Sequence, residues 1–109
     1  MELTPHELMS LRILAFFFYQ TGSYDSAIRA VKSLLALDPK DAWAKGLLIV
    51  CESARENYAK VLALTEDLDE FAGNVQQHQA LTYLRALALQ KTDRHPEARA
   101  LMERMGGLK

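Results

Sequence analysis

The chain has 109 residues, half of them hydrophobic and a quarter charged, with a formal net charge of −1. That length fits one domain with a core of its own, and those proportions belong to a soluble globular fold. A charge so near neutral excludes non-specific binding to nucleic acid or to anionic membranes as its main business.

Thr4-Pro5-His6-Glu7 predicts a helix start, with Thr4 as cap, Pro5 at the first helical position and Glu7 completing a capping box. Leu8, Leu11, Ala15 and Phe18 then keep the i, i+3, i+4 rhythm of an apolar face. Phe16-Phe17-Phe18-Tyr19 places four rings in succession. At ~100° per residue they sweep most of the helix circumference, whereas a helix at a domain edge buries a stripe about 100° wide. This helix is therefore either sandwiched or carries an apolar face meant for a partner. Gly22 suits a left-handed C-cap.

A second helix is predicted from about Tyr24 to Leu37, with Ala27, Val31, Leu34 and Leu35 on one side, before Asp38-Pro39-Lys40-Asp41 breaks the chain. A third covers Ala42–Ala54 and a fourth Tyr58–Leu68. Gly73-Asn74 marks a turn, a fifth helix spans about Gln77–Lys91, and a sixth runs from Pro96 to Met105, with the tail from Gly106 to Lys109 expected to fray. No segment alternates with a two-residue period, so the expected fold class is all-α with six helices.

The helices pair with a period. Gly22, Tyr24 and Ala27 form a Gly-x-Tyr-x-x-Ala core that closes at Asp38-Pro39. A shift of 34 residues puts Tyr58 where Tyr24 stood and Ile49 and Val61 where Ala15 and Ala27 stood. A third copy begins about three residues late, with Ala86 and Ala98 at the small positions and His95 in place of the tyrosine. This pattern resembles the tetratricopeptide repeat. The resemblance implies a short right-handed solenoid of three helix-turn-helix repeats (about 8–41, 42–75 and 79–108) forming a single domain over 1–109. Ala15, Gly22, Tyr24, Ala27, Pro39, Tyr58, Ala86 and Ala98 would be its structural positions.

In that family the first helix of each pair lines a concave groove. Carried over by position, the groove here would hold Met9, Arg12, Phe16, Tyr19 and Gln20, then Trp43, Gly46, Val50, Ser53 and Ala54, then Ala80, Tyr83, Leu87, Gln90 and Lys91. Leu11, Leu14, Ala15 and Phe18 would go to the core, and Phe17 would face the back or the end. Such an apolar, aromatic-rich groove fits an amphipathic helix or an extended apolar segment of a partner protein. The clamp by which some relatives grip terminal carboxylates is missing, because its positions read Arg12, Phe16, Leu47, Ala80 and Leu84.

In size and repeat pattern the chain also resembles the small tetratricopeptide chaperones of bacterial type III secretion, which hold a needle subunit or an early export-apparatus partner. That resemblance implies a cytoplasmic bacterial chaperone masking an aggregation-prone helix until export. The alternative is a generic adaptor or a self-assembling scaffold, in which Phe17 and the Met102–Met105 segment pair copies of the chain; a homodimer of the lone chaperone is also expected.

The remaining candidates carry little chemistry. Cys51 is the single cysteine, which fits a reducing compartment, and its expected place is as a small hydrophobe. No leader segment is read at the N-terminus, and Leu11–Tyr19 is too short to cross a bilayer. His6, His78 and His95 lack ligand spacing, and Glu66-Asp67-Leu68-Asp69-Glu70 lacks the glycine turn of a calcium loop. No cofactor, metal site or enzymatic activity is expected. Residues 41–75 carry seven acids against three bases and residues 76–109 six bases against three acids, a polarity read first as solvated helix faces.

Overall fold

A computed structural model describes residues 3–105, which form seven α-helices and no strand. The helices are α1 (Pro5–Gln20), α2 (Tyr24–Leu37), α3 (Ala42–Ala54), α4 (Tyr58–Leu64), α5 (Leu68–Phe71), α6 (Val75–Lys91) and α7 (His95–Arg104). The expected frayed tail, Gly106 to Lys109, lies outside the described residues.

The capping box at α1 is present: the Glu7 amide donates to Thr4 Oγ1 at 3.1 Å, and the Thr4 amide donates to Glu7 Oε1 at 2.9 Å. The turn after α1 has Gly22 at φ 80°, with Ser23 N–H donating to the Phe18 carbonyl and Gly22 N–H to that of Tyr19. These two bonds define the Schellman turn. It recurs after α3 and after α6, with Glu56 (φ 62°) and Asp93 (φ 63°) in the left-handed position. Asn57 N–H reaches the Glu52 carbonyl and Arg94 N–H that of Leu89, each at under 3 Å. Glu56 lies 34 positions after Gly22 and Asp93 37 after Glu56, the spacing of the sequence period. Tyr24, Tyr58 and His95 each open the helix that follows.

Each turn folds two helices into a hairpin, and small or branched side chains seal the crossing. Ala15 and Ala27, Ile49 and Val61, and Ala86 and Ala98 are all buried, one pair per hairpin. Leu8, Leu11 and Phe18 pack on the first core cluster with Val31 and Leu34. α2 then packs on α3, and α4 on α6, so the hairpins stack into a short solenoid of 45 × 25 × 22 Å. Leu14, expected in the core, is exposed. It belongs to the first helix, and no described element packs over its side of α1.

The expected fourth helix, Tyr58–Leu68, stops at Leu64. The Leu62 carbonyl, which a longer helix would offer to residue 66, instead accepts from Arg85 Nη1 at 2.9 Å. That nitrogen also donates to Thr65 Oγ1 at 2.8 Å, while the Thr65 hydroxyl donates to the Val61 carbonyl at 2.7 Å. Acids at a helix C-terminus oppose its dipole, whereas Asp69 and Glu70 in the first turn of α5 agree with it. The fifth predicted helix starts at Val75 rather than Gln77, because Asn74 caps it by accepting from the Gln77 amide at 2.7 Å.

Candidate functional site

The first helix of each hairpin touches the next, so α1, α3 and α6 form one layer. Arg12 ties α1 to α3: its guanidinium donates to both oxygens of Asp41, at 3.2 and 2.6 Å, and lies 5.3 Å from the centre of the Trp43 ring. Asp41 is the N-cap of α3 and accepts from the Ala44 amide at 3.0 Å. Burial alone would raise the Asp41 carboxyl, but the hydrogen bonds from Arg12 and the α3 amides, with the guanidinium charge, hold it below its ordinary value.

On this layer Phe16, Trp43 and Tyr83 are 44%, 40% and 49% exposed, so the three rings are neither sealed inside nor fully solvated. Tyr19 is half-buried, its ring 6.0 Å from Phe16 and 6.1 Å from Tyr24. Met9, Gln20, Gln90 and Lys91 are exposed, and Val50 and Leu87 are half-buried. Phe17, given to the back or end, is also exposed. Phe16 and Tyr19 form one contacting pair and Arg12 and Trp43 another; Tyr83, Leu87 and Lys91 share a face of α6 further along.

Gly46, assigned to the open groove, is a correction: it is buried beneath Gln77. A Cβ at Gly46 would stand 2.6 Å from Gln77 Nε2. That amide donates to the Ala42 carbonyl at 2.8 Å, and its oxygen accepts from the Gly73 amide at 2.6 Å. Gln77 thus fixes α6 to the start of α3. The polar bridge was invisible in sequence, since a glutamine at a helix start carries no signal of its own; Gly46, mid-helix without a turn, was the one clue.

The acidic run also finds bases inside the chain. Asp67 pairs with Lys45 at 2.9 Å, a bond that lowers its carboxyl, and the Lys45 amine sits 4.2 Å from the Phe71 ring centre. Asp69 reaches His78 Nε2 at 2.6 Å, so His78 does have a carboxylate partner, which its sequence neighbours did not reveal. Thr82 stands beside the same imidazole, but its hydroxyl donates to the His78 carbonyl at 2.6 Å and is not free to act as a nucleophile.

His78, Thr82 and Arg85 line a cavity of about 660 Å³ between α5, α6 and α7, together with Thr65, Leu68 and Leu101. It opens where α4 breaks and lies on another side of α6 from Tyr83. Cys51 is buried, and burial followed by the charge of Glu52 pushes its thiol up to about 11, so it packs as an inert hydrophobe. Among the described residues no three His, Cys, Asp or Glu gather to hold a metal, and no helix is long and apolar enough to cross a membrane.

A sequence-family model described as Tetratricopeptide repeat matches residues 18–82. No curated protein and no solved structure matches the chain.

Proposed function

The chain belongs to the tetratricopeptide-repeat family, a protein-interaction fold, and on that premise we propose that its α1–α3–α6 face shelters an apolar or amphipathic helix of a partner protein. One observation carries this reading: Phe16, Trp43 and Tyr83 stay 40–49% exposed on that layer. Full burial of such a ring is worth about 1.5–3 kcal/mol, so a partner that covers these rings gains what the free chain forgoes. The face offers little to an acidic ligand. Arg12 is already answered by Asp41, Leu47 is buried, and Phe16, Ala80 and Leu84 bring no charge. An apolar helical stripe suits it better than a terminal carboxylate.

In this proposal the partner-binding residues are Met9, Arg12, Phe16, Tyr19, Gln20, Trp43, Val50, Tyr83, Leu87 and Lys91. The resemblance to small type III secretion chaperones supports a finer reading: the partner is a secreted needle or early substrate, or an export-apparatus component, held in the bacterial cytoplasm until export. A generic adaptor role would use the same face without that client. Co-purification from the native host, followed by mass spectrometry, tests the client directly. The expected result is one co-purifying export protein whose yield collapses with Phe16→Glu or Trp43→Glu while helical circular dichroism is unchanged. A partner retained in full by both variants would reject this face as the binding site.

A further inference from the structure

The two ends of the solenoid are unlike. Seen down α1 at ~100° per residue, Leu8, Leu11, Ala15 and Phe18 point toward α2 and α3. The opposite side holds His6, Met9, Ser10, Ile13, Leu14, Phe16 and Phe17, all exposed and none of them an acid, a lysine or an arginine. Ile13 is 64% and Phe17 55% exposed. At the other end, α7 turns Glu97, Arg99, Glu103 and Arg104 to solvent. Among the described residues the outer side of α7 is polar and that of α1 is apolar.

We infer that the outer face of α1 is a homodimer interface in which a second copy of the chain lays its own α1 across it, antiparallel about a two-fold axis near Ile13. Composition, symmetry and area select this occupant. The face carries no acid, lysine or arginine, and a two-fold centred on Ile13 sets its His6 opposite the partner's Gln20 rather than a second His6. A crossing centred on Ile13 sets Met9 opposite the partner's Phe17 and the partner's Met9 opposite Phe17, the reciprocity a two-fold requires. At on the order of 200 Å² per large apolar side chain, covering the exposed fractions of Met9, Ile13, Leu14, Phe16 and Phe17 removes roughly 500 Å² per copy, or roughly 1,000 Å² for the pair, the floor for a biological contact and the size of a weak dimer. Head-to-tail stacking, with α1 on the Met102–Met105 end of another copy, would set this apolar face against the charges of α7. Met102 and Met105 are themselves half-buried, so that expected pairing is not the one the surfaces favour.

Met9 and Phe16 border both faces, but Ile13, Leu14 and Phe17 are not among the proposed partner-binding residues, so variants at Ile13 and Phe17 test this interface separately from the α1–α3–α6 face, which rests on that proposed reading. Sedimentation equilibrium of the full chain, from low micromolar to submillimolar concentration, should approach twice 12.3 kDa. Ile13→Glu and Phe17→Glu should each weaken self-association at least about 30-fold with helical circular dichroism unchanged, and Arg99→Glu on α7 should not. Ile13→Cys should cross-link to a second Ile13→Cys chain under mild oxidation, since Cys51 is buried and gives no competing bond. A 12.3 kDa particle at every concentration, an assembly growing beyond two copies, or a dimer indifferent to Ile13→Glu would each overturn the inference.

Discussion

Arg12 and Asp41 stand 29 residues apart in sequence and meet in a two-pronged ion pair at 3.2 and 2.6 Å, with the Trp43 ring lying beside the guanidinium. The same carboxylate caps α3, so one side chain starts a helix and fixes the helix before it. Asp41→Ala is expected to lose both functions and about 1.5–3 kcal/mol of stability in urea unfolding. Arg12→Met should lose about 0.5–1 kcal/mol, because a guanidinium more than a third exposed is screened by solvent. A double-mutant cycle should return a coupling of at least about 0.5 kcal/mol; additive losses would mean that the pair contributes nothing beyond the cap.

The direction of the Asp41 shift gives a pH dependence. Its folded-state value lies below the ordinary carboxylate value, so its contribution is present above that ordinary value and is lost as pH falls through the folded one. Asp67, held down by Lys45, acts in the same sense. Urea midpoints should fall with acidification below about pH 4, and less steeply in Asp41→Asn. Equal slopes for the two proteins would remove Asp41 from the account.

Glu56 and Asp93 occupy left-handed turn positions that only Gly22 fills without strain. A side chain there costs about 1–2 kcal/mol, partly offset by the greater freedom of glycine in the unfolded chain. Glu56→Gly and Asp93→Gly should each raise stability by about 0.5–1 kcal/mol, and Gly22→Ala should lower it by about 1 kcal/mol. Calorimetric melts decide the signs, and a destabilised Glu56→Gly would argue against the turn geometry.

Gly46→Ala puts a methyl 2.6 Å from Gln77 Nε2, the far end of a flexible side chain, so Gln77 must leave the Ala42 carbonyl. In the natural background the helix-propensity gain of about 0.5–1 kcal/mol is offset by that lost bond, and the change should be near neutral or worse. In a Gln77→Ala background the same substitution should stabilise by about 0.5–1 kcal/mol. Equal effects in both backgrounds would show that Gln77 does not bridge the two helices.

Ala27 is fully buried where α2 crosses α1. Ala27→Leu should overpack that crossing and lose about 1–3 kcal/mol, seen as a lowered melting temperature. An unchanged melt would place spare volume where the packing leaves none.

Much of the fold was legible because local signals agreed with one another. The Thr4-Pro5-His6-Glu7 cap, Gly22 and the buried pairs Ala15–Ala27 and Ala86–Ala98 each marked a hairpin, and the 34-residue shift linked them. The break in α4 was not legible: it depends on Arg85, twenty residues downstream, taking a carbonyl and a hydroxyl at the end of the helix. Leu14 failed for a related reason, since the repeat pattern gave it to the core while its exposure depends on which helices lie beside α1. On the candidate site, the groove positions were carried over from the family pattern, and Gly46 departs from it because Gln77 arrives from another hairpin.

Trp43 is the chain's single tryptophan and sits on the face in question, so its own fluorescence reports what happens there. Titration with the helical segment of the co-purified partner should shift Trp43 emission to the blue and shield it from acrylamide, saturably, and Phe16→Glu should remove both effects. A partner segment that binds while leaving Trp43 emission and quenching unchanged would contradict the claim that α1, α3 and α6 hold it.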